Sequence, residues 1–235
     1  MKEDIDGMPV RGMPSFPEKT AFLRKYLKGL SLEELKTLLK CNESIAVENF
    51  RRYQDMDDSL PRTPAVFAYH GIQYQYMAPT VFTDREYDYI QRHLRILSGL
   101  YGMLRPFDGI YPYRLEMQAR PSFCNSLYEF WGREIGEVLG KDNDTVVDLA
   151  SEEYSRAARC GALPSLRWIT VRFGEVQDDR FREKGTQCKM ARGAMVRWMA
   201  EQGIEDPEGI RNFDVLGYRL DTRRSGEDEF VFCKG

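Results

Sequence analysis

The sequence contains little cysteine and histidine, and it has no long apolar run. Only five of its 235 residues are cysteines and two are histidines. The cysteines are scattered without a CxxC or Cys/His spacing, a pattern typical of reduced thiols in a cytoplasmic protein. No stretch approaches the roughly 18 apolar residues that cross a bilayer, and the start Met1–Asp6 lacks the apolar region of a signal peptide. We therefore expect a cytoplasmic protein without membrane contact.

Common catalytic motifs are also missing from the sequence. His70 and His93 stand apart from any cluster of Cys or acidic residues with the spacing of metal ligands. No Walker A loop, HExxH motif or Ser/His/Asp order is present. The sequence alone therefore indicates no catalytic mechanism, and we expect no bound metal and no cofactor.

Charge is distributed unevenly along a chain whose net charge is only −3. Residues 180–200 have a local balance of +5, because six basic residues face Glu183 alone, whereas residues 201–235 have a balance of −4. The six are Arg180, Arg182, Lys184, Lys189, Arg192 and Arg197. Such a stretch is compatible with a solvated helix face, but it also predicts a local positive groove on an otherwise acidic protein.

Helix and strand signals are intermixed without a regular βαβ order, which favours an α+β fold. Ser31 and Thr83, each followed three residues later by Glu, form capping boxes, and Pro17 and Asn42 are typical of helix starts. We predict that Ala65–Tyr69, Thr145–Leu149 and Arg167–Phe173 are buried strands, that Ser126–Leu139 and Gln187–Glu201 are helices, and that Tyr218–Leu220 pairs with Glu229–Cys233. No repeat or long linker divides the chain, so we expect a single compact domain over residues 1–235.

The segment Leu97–Leu104 carries Gly99 and Gly102 on either side of Leu100, directly after a predicted helix and before Arg105. Two such glycines permit a tight turn and leave backbone N–H groups uncovered. These groups can bind phosphate oxygens, as in a helix-hairpin-helix on DNA. The alternative is a helix C-cap followed by an ordinary turn, with the leucine in the core.

Two further segments each allow a structural and a functional interpretation. In Pro112–Met117, Arg114 and Glu116 share one face of an extended chain and could form either a structural ion pair or a charged site. In Leu149–Tyr154, a small residue, a capping serine and acidic residues including Glu153 follow a strand. That order is typical of the mouth of many α/β sites, and also of an ordinary helix start.

The fourth segment, Lys189–Gly193, places two cations and a glycine at helical spacing. Lys189 and Arg192 lie at positions i and i+3, near one helix face, and Gly193 permits close approach. Like charges at this spacing repel each other, so the helix gains nothing locally from them. An anionic partner and a solvated face both remain consistent with the pattern.

The ordered set of these motifs resembles the peroxide stress protein YaaA family. Each motif alone is weak, whereas their order over most of the chain is specific. The matching segments are Gly71–Met77, Gln91–Asp108, Pro112–Met117, Asp148–Tyr154, Lys189–Gly193 and Phe213–Tyr218.

The resemblance implies one compact fold, a helix-hairpin-helix at Gly99–Gly102, and a positively charged cleft that binds duplex DNA. It also implies a role in surviving hydrogen peroxide, by limiting the damage that unincorporated iron does to DNA. The family begins with a short apolar strand and a Ser-Pro-Ala-Lys motif. This sequence begins at Met1-Lys2-Glu3, past that point, so we expect one strand and one candidate site lysine to be absent.

We consider two functions of different classes and favour the first. The first is a non-enzymatic protein that binds duplex DNA without sequence preference, through Gly99, Leu100, Gly102, Arg105, Arg114, Lys189 and Arg192. The second is an enzyme acting on a nucleotide or damaged base, in a pocket lined by Tyr76, Arg114, Glu116, Glu153, Lys189 and Arg192, with Glu116 or Glu153 as general acid/base. An interaction surface at Trp131, Trp168 or Trp198 is a third option, although we expect all three to pack in the core.

Overall fold

The protein is represented by a computed structural model that describes residues 1, 9–57, 62–141 and 143–235. Helices and strands are mixed, and the predicted α+β fold is confirmed. The helices are α1 (Pro17–Lys28), α2 (Leu32–Leu39), α3 (Glu43–Asp55), α4 (Ala65–Ala68), α5 (Ile72–Met77), α6 (Asp84–His93), α7 (Leu127–Trp131), α8 (Glu134–Lys141), α9 (Glu152–Arg159) and α10 (Gly185–Gln202), with 3₁₀ turns at Pro79–Val81 and Pro207–Asn212. The strands are β1 (Thr63–Pro64), β2 (Ile96–Ser98), β3 (Gly102–Leu104), β4 (Gly109–Ile110), β5 (Thr145–Asp148), β6 (Arg167–Gln177), β7 (Arg180–Arg182), β8 (Tyr218–Leu220) and β9 (Glu229–Lys234).

The residues group into two compact units, which are described separately. Unit 1 contains Met1–Tyr69, Arg95–Gly136 and Glu152–Gly161. Unit 2 contains His70–Leu94, Glu137–Ser151 and Ala162–Gly235. The predicted extent of one domain over residues 1–235 stays a prediction.

Helix starts in unit 1 follow the local capping chemistry of the sequence. Pro17 occupies the first turn of α1, where a missing N–H group costs nothing. Ser31 and Glu34 form the complete capping box of α2, and the Asn42 side chain accepts the N–H group of Ile45 at the start of α3. Because each cap satisfies backbone donors that the helix leaves free, these starts were predictable from sequence.

The segment Ala65–Tyr69, predicted as a buried strand, forms helix α4 instead. Its burial is confirmed, because all four residues of α4 are at most 3% exposed. The N–H groups of Ala65 and Val66 donate to the carbonyls of Asp108 and Pro106, at 2.9 Å each. Those bonds occupy the first donors of a helical turn, so tertiary contacts override the strand preference of Val and Phe.

The predicted helix Ser126–Leu139 is interrupted at Gly132 in the structure. Gly132 adopts φ +53° and separates α7 from α8. A positive φ costs glycine little, so the chain turns there at low cost, although its apolar pattern would permit one continuous helix. The helix predicted from Asp84 likewise ends at His93, since Leu94 is extended and β2 follows.

Unit 2 is built on a mixed five-stranded sheet with strand order β5-β6-β9-β8, in which β7 also pairs with β6. The β5–β6 and β6–β9 pairs are parallel, whereas β7 and β8 run antiparallel to their neighbours. The predicted strand Thr145–Leu149 is confirmed as β5. It lies at the sheet edge, so only Asp148 in it is buried. The predicted pairing of Tyr218–Leu220 with Glu229–Cys233 is confirmed as the β8–β9 pair.

Helix α10 packs between the sheet and α5 in unit 2. Cys188, Ala191 and Met195 belong to the core cluster that includes strand residues of β6 and β9. On another side, Gly193 approaches α5 so closely that a Cβ atom there would lie 2.0 Å from the carbonyl oxygen of Gln73. Burial on two sides leaves α10 little exposed surface for polar side chains.

Candidate functional site

The Gly99–Gly102 turn, predicted as the centre of a helix-hairpin-helix, is the tip of a β-hairpin instead. It connects β2 to β3, which pair antiparallel with Ser98 opposite Gly102. The Tyr101 N–H group donates to the Ser98 hydroxyl at 2.9 Å. No second helix follows, because the chain after β3 turns at Arg105–Asp108 and continues into β4. Glycines separated by two residues thus serve a strand turn here.

The hairpin tip lies inside unit 1. A Cβ atom on Gly99 would meet the Leu115 carbonyl oxygen at 2.3 Å, and the Trp131 indole donates to the Gly99 carbonyl at 3.1 Å. Gly102, at φ +71°, lies against the Trp131 ring, and Leu100 is fully buried. These glycines therefore allow backbone and rings to pack closely, and three of the predicted DNA contacts (Gly99, Leu100 and Gly102) are covered by protein.

The predicted ion pair in Pro112–Met117 is present in the structure. Arg114 Nη2 lies 2.6 Å from Glu116 Oε1, and both side chains are about 40% exposed, at 41% and 39%. Tyr113, Leu115 and Met117, between and around them, are buried. The Nε atom of Arg114 is buried and has no hydrogen-bond acceptor in the described part of the chain. The pair therefore leaves guanidinium donor capacity unused.

Glu153, Tyr154 and Arg105 are the other candidate side chains of unit 1. Glu153 Oε1 accepts the Gln118 N–H group at 3.3 Å, and its carbonyl accepts the Tyr128 hydroxyl at 2.9 Å. Burial raises the pKa of Tyr154, so its hydroxyl stays protonated and can act only as a hydrogen-bond donor or acceptor. Arg105 is exposed beside the buried Asp108, whose pKa burial raises.

Lys40 lines a small open pocket that sequence reasoning missed. The pocket belongs to unit 1 and also contains the Arg114 and Glu116 side chains, with Leu38, Leu39, Gln118 and Ala119 as its other lining residues. Lys40 is the residue that ends α2, and it has the left-handed values φ 46° and ψ 48°. No sequence signal connects it to a motif more than seventy positions away.

In unit 2, Lys189 and Arg192 are cations without carboxylate partners. Lys189 is exposed and Arg192 half-buried, and neither forms an ion pair with any residue that the structure describes. Neighbouring cations of the same stretch are paired: Lys184 with Glu175 and Arg197 with Glu201, both at 2.6 Å. The buried Nε atom of Arg192 likewise lacks an acceptor within the described residues.

The remaining candidate residues divide between the two units. Tyr76 lies on α5, the helix that packs against α10 at Gly193. The predicted nucleotide pocket and the predicted positive cleft each combine residues of both units, so the convergence of either set stays a prediction.

The three tryptophans have structural contacts. Trp131 is fully buried, Trp168 donates to an Asp148 carboxylate oxygen at 3.0 Å, and Trp198 packs edge-on against Phe213. The described residues contain no group of three or more His, Cys, Asp or Glu side chains arranged to hold a metal ion. Among them, too, no helix is long and apolar enough to cross a membrane.

Comparison with known proteins gives matches over nearly the whole chain. The family model described as peroxide stress protein YaaA matches residues 2–224. A UPF0246 protein of Desulfitobacterium hafniense (strain Y51) is 48% identical over 236 residues, covering 100% of this chain and 94% of the relative. Another from Lachnoclostridium phytofermentans is 45% identical over 237 residues, with 100% and 93% covered, and one from Lactobacillus acidophilus is 43% identical over 234 residues, with 99% and 92% covered.

Proposed function

Since the chain belongs to the peroxide stress protein YaaA family, we propose that it binds duplex DNA in the cytoplasm during hydrogen peroxide stress, without sequence preference. The contacts in this proposal are the cationic side chains Arg105, Arg114, Lys189 and Arg192. The backbone of Gly99–Gly102 is left out, because that hairpin tip is covered by Trp131 and Leu115.

The observation that carries the proposal is the pair of unpartnered cations on α10. This helix packs on two sides, against the sheet and against α5, which sets the backbone positions of its exposed residues. Lys189 and Arg192 there have no carboxylate among the described residues to neutralise them, although Lys184 and Arg197 nearby do. Two neighbouring positive charges that no described carboxylate compensates favour an anionic ligand, and adjacent backbone phosphates supply one.

Phosphate contacts of this kind are independent of base sequence. They also offer a physical route to protection, because protein cations at phosphates release the counterions condensed there, and ferrous iron is such a counterion. Displacing iron from the duplex would lower the local yield of oxidants formed from peroxide at the DNA. The route needs no metal site in the protein.

The test is a salt titration of duplex binding with two double variants of equal charge change. Replacing Lys189 and Arg192 with Ala should weaken binding to all sequences and flatten the log–log salt dependence by about two, at roughly 0.9 per phosphate contact. The control replaces the paired Lys184 and Arg197 with Ala and should change the slope clearly less. Equal effects of the two double variants would mean that only net charge matters, and the proposal would be wrong.

An enzyme acting on a nucleotide or damaged base is the second candidate. It is favoured by the Arg114–Glu116 pair with Glu153 nearby in unit 1, since a carboxylate beside a cation can serve as general acid/base. Turnover of a nucleotide and damaged-base panel by the full chain, lost on Glu116→Gln with duplex affinity intact, would establish this function over the first.

A further inference from the structure

The pocket of unit 1 that contains Lys40 offers a further anion site, which shares only Arg114 with the proposed duplex contacts. Its charged members are Lys40, Arg114 and Glu116, so it has one positive charge in excess. Leu38, Leu39 and Ala119 supply the apolar part of its lining. Neither duplex binding nor the nucleotide chemistry discussed above accounts for Lys40.

The donors in this pocket are not used up by the protein. Lys40 forms no ion pair or side-chain hydrogen bond with the described residues, and its ammonium carries three donors. Arg114 Nη2 donates to Glu116, whereas the buried Nε–H group of Arg114 has no acceptor among the described residues. Native proteins rarely leave a buried donor unsatisfied, and no described residue accepts from this Nε–H group, so a bound anion would complete its hydrogen bonding.

The conformation of Lys40 also needs an explanation. A residue at the C-terminal end of a helix with φ 46° is usually Gly or Asn, because other side chains are strained there. The negative end of the helix dipole favours a cation, but an exposed lysine could provide that charge from the last helical turn without strain. Lys40 thus combines a costly backbone conformation with a position on the pocket wall.

We propose that the Lys40–Arg114 pocket binds a phosphate group with at most one ester bond, either inorganic phosphate or the terminal phosphate of a mononucleotide. A monoester carries about −1.5 to −2 charges at pH 7 and three terminal oxygens, which suit an ammonium and a guanidinium in one pocket. A phosphodiester has one charge and only two unsubstituted oxygens, and so makes fewer contacts with these donors. The proposal goes beyond duplex binding and does not depend on it.

Calorimetric titration of the full chain at constant ionic strength tests the ligand class. The four probes are inorganic phosphate, adenosine 5′-monophosphate, adenosine and dimethyl phosphate. Phosphate and the nucleotide should bind. Adenosine and dimethyl phosphate should bind at least ten-fold more weakly, which corresponds to a difference of roughly 1.4 kcal/mol in binding free energy. Equal affinities for phosphate and the nucleotide would identify the phosphate group as the whole ligand, and tighter nucleotide binding would assign a mononucleotide.

Lys40→Gly separates binding from folding. Glycine is unstrained at φ 46°, so this variant should unfold at the same temperature as the parent or higher, yet bind either phosphate probe roughly ten-fold more weakly. Lys25→Ala removes an exposed lysine of α1 outside the pocket and should leave binding unchanged. Unchanged phosphate affinity in Lys40→Gly, or equal losses in both variants, would overturn the proposal. Duplex affinity measured on the same proteins reports separately on Lys189 and Arg192.

Discussion

The sequence predicted phosphate contacts both at the hairpin Gly99–Gly102 and at the helix segment Lys189–Gly193. The two segments differ in how much of each is covered by protein. In both segments a glycine permits close backbone approach. A Cβ atom added to Gly99 would lie 2.3 Å from the Leu115 carbonyl oxygen, and one added to Gly193 would lie 2.0 Å from the Gln73 carbonyl oxygen. In the hairpin, Trp131 and Leu115 cover the backbone around Gly99, so a phosphate has no access to it. On α10, Lys189 and Arg192 form no ion pair with the residues that the structure describes.

The difference teaches that a glycine pattern reports close packing before it reports ligand binding. The absence of a Cβ atom lets either a phosphate or a neighbouring backbone approach a glycine, and the local sequence does not show which of the two approaches it. An unpaired cation indicates ligand binding more specifically than a glycine does. Without a carboxylate partner the cation does not stabilise the fold through an ion pair, but it still attracts an anionic ligand.

The largest expected effect is on stability, from Ala at either glycine. An added Cβ would overlap a backbone oxygen that cannot move alone, so Gly99→Ala and Gly193→Ala should each lower the free energy of unfolding by about 3 kcal/mol. Urea denaturation measures this directly. A Gly99→Ala protein of normal stability but weaker DNA affinity would restore the hairpin as a phosphate contact and break the comparison.

A smaller loss is expected when the indole that covers the hairpin is replaced. Trp131→Phe removes the donor to the Gly99 carbonyl and some buried volume, and should cost about 2 kcal/mol of unfolding free energy. Trp198→Phe is the matched control in unit 2, since Trp198 is only partly buried and should lose less than about 1 kcal/mol. Similar losses in both variants would show that the Gly99 contact is unimportant.

The smallest effect is predicted at the beginning of α10. A Cβ atom on Gly185 would contact nothing within 4 Å, so Gly185→Ala should stabilise the protein by roughly 0.5 kcal/mol through reduced freedom of the unfolded chain. Its DNA affinity and salt dependence should match those of the parent protein, which makes it a stability control for the Lys189 and Arg192 variants. A clear loss of DNA affinity would place this helix start in the contact surface.

Features that depend on neighbouring residues along the chain could be predicted from the sequence. Pro17, the Ser31–Glu34 box and Asn42 set helix starts, because caps satisfy donors within one turn. Alternation in Pro112–Met117 correctly placed Arg114 and Glu116 on one face, and the ordered motifs gave the family. Caps and face alternation depend on residues only a few positions apart, so a local sequence pattern contains all the information needed to predict them.

Features that depend on residues far apart in the chain could not be predicted and became visible in the folded structure. Ala65–Ala68 is helical because the carbonyls of Pro106 and Asp108 accept its first donors, and the Gly99 hairpin is closed to phosphate because Trp131 and Leu115 cover it. Lys40 meets Arg114 in one pocket across more than seventy residues. The physical reason is the same in each case: glycine, lysine and short apolar runs have several low-energy uses, and long-range packing selects among them.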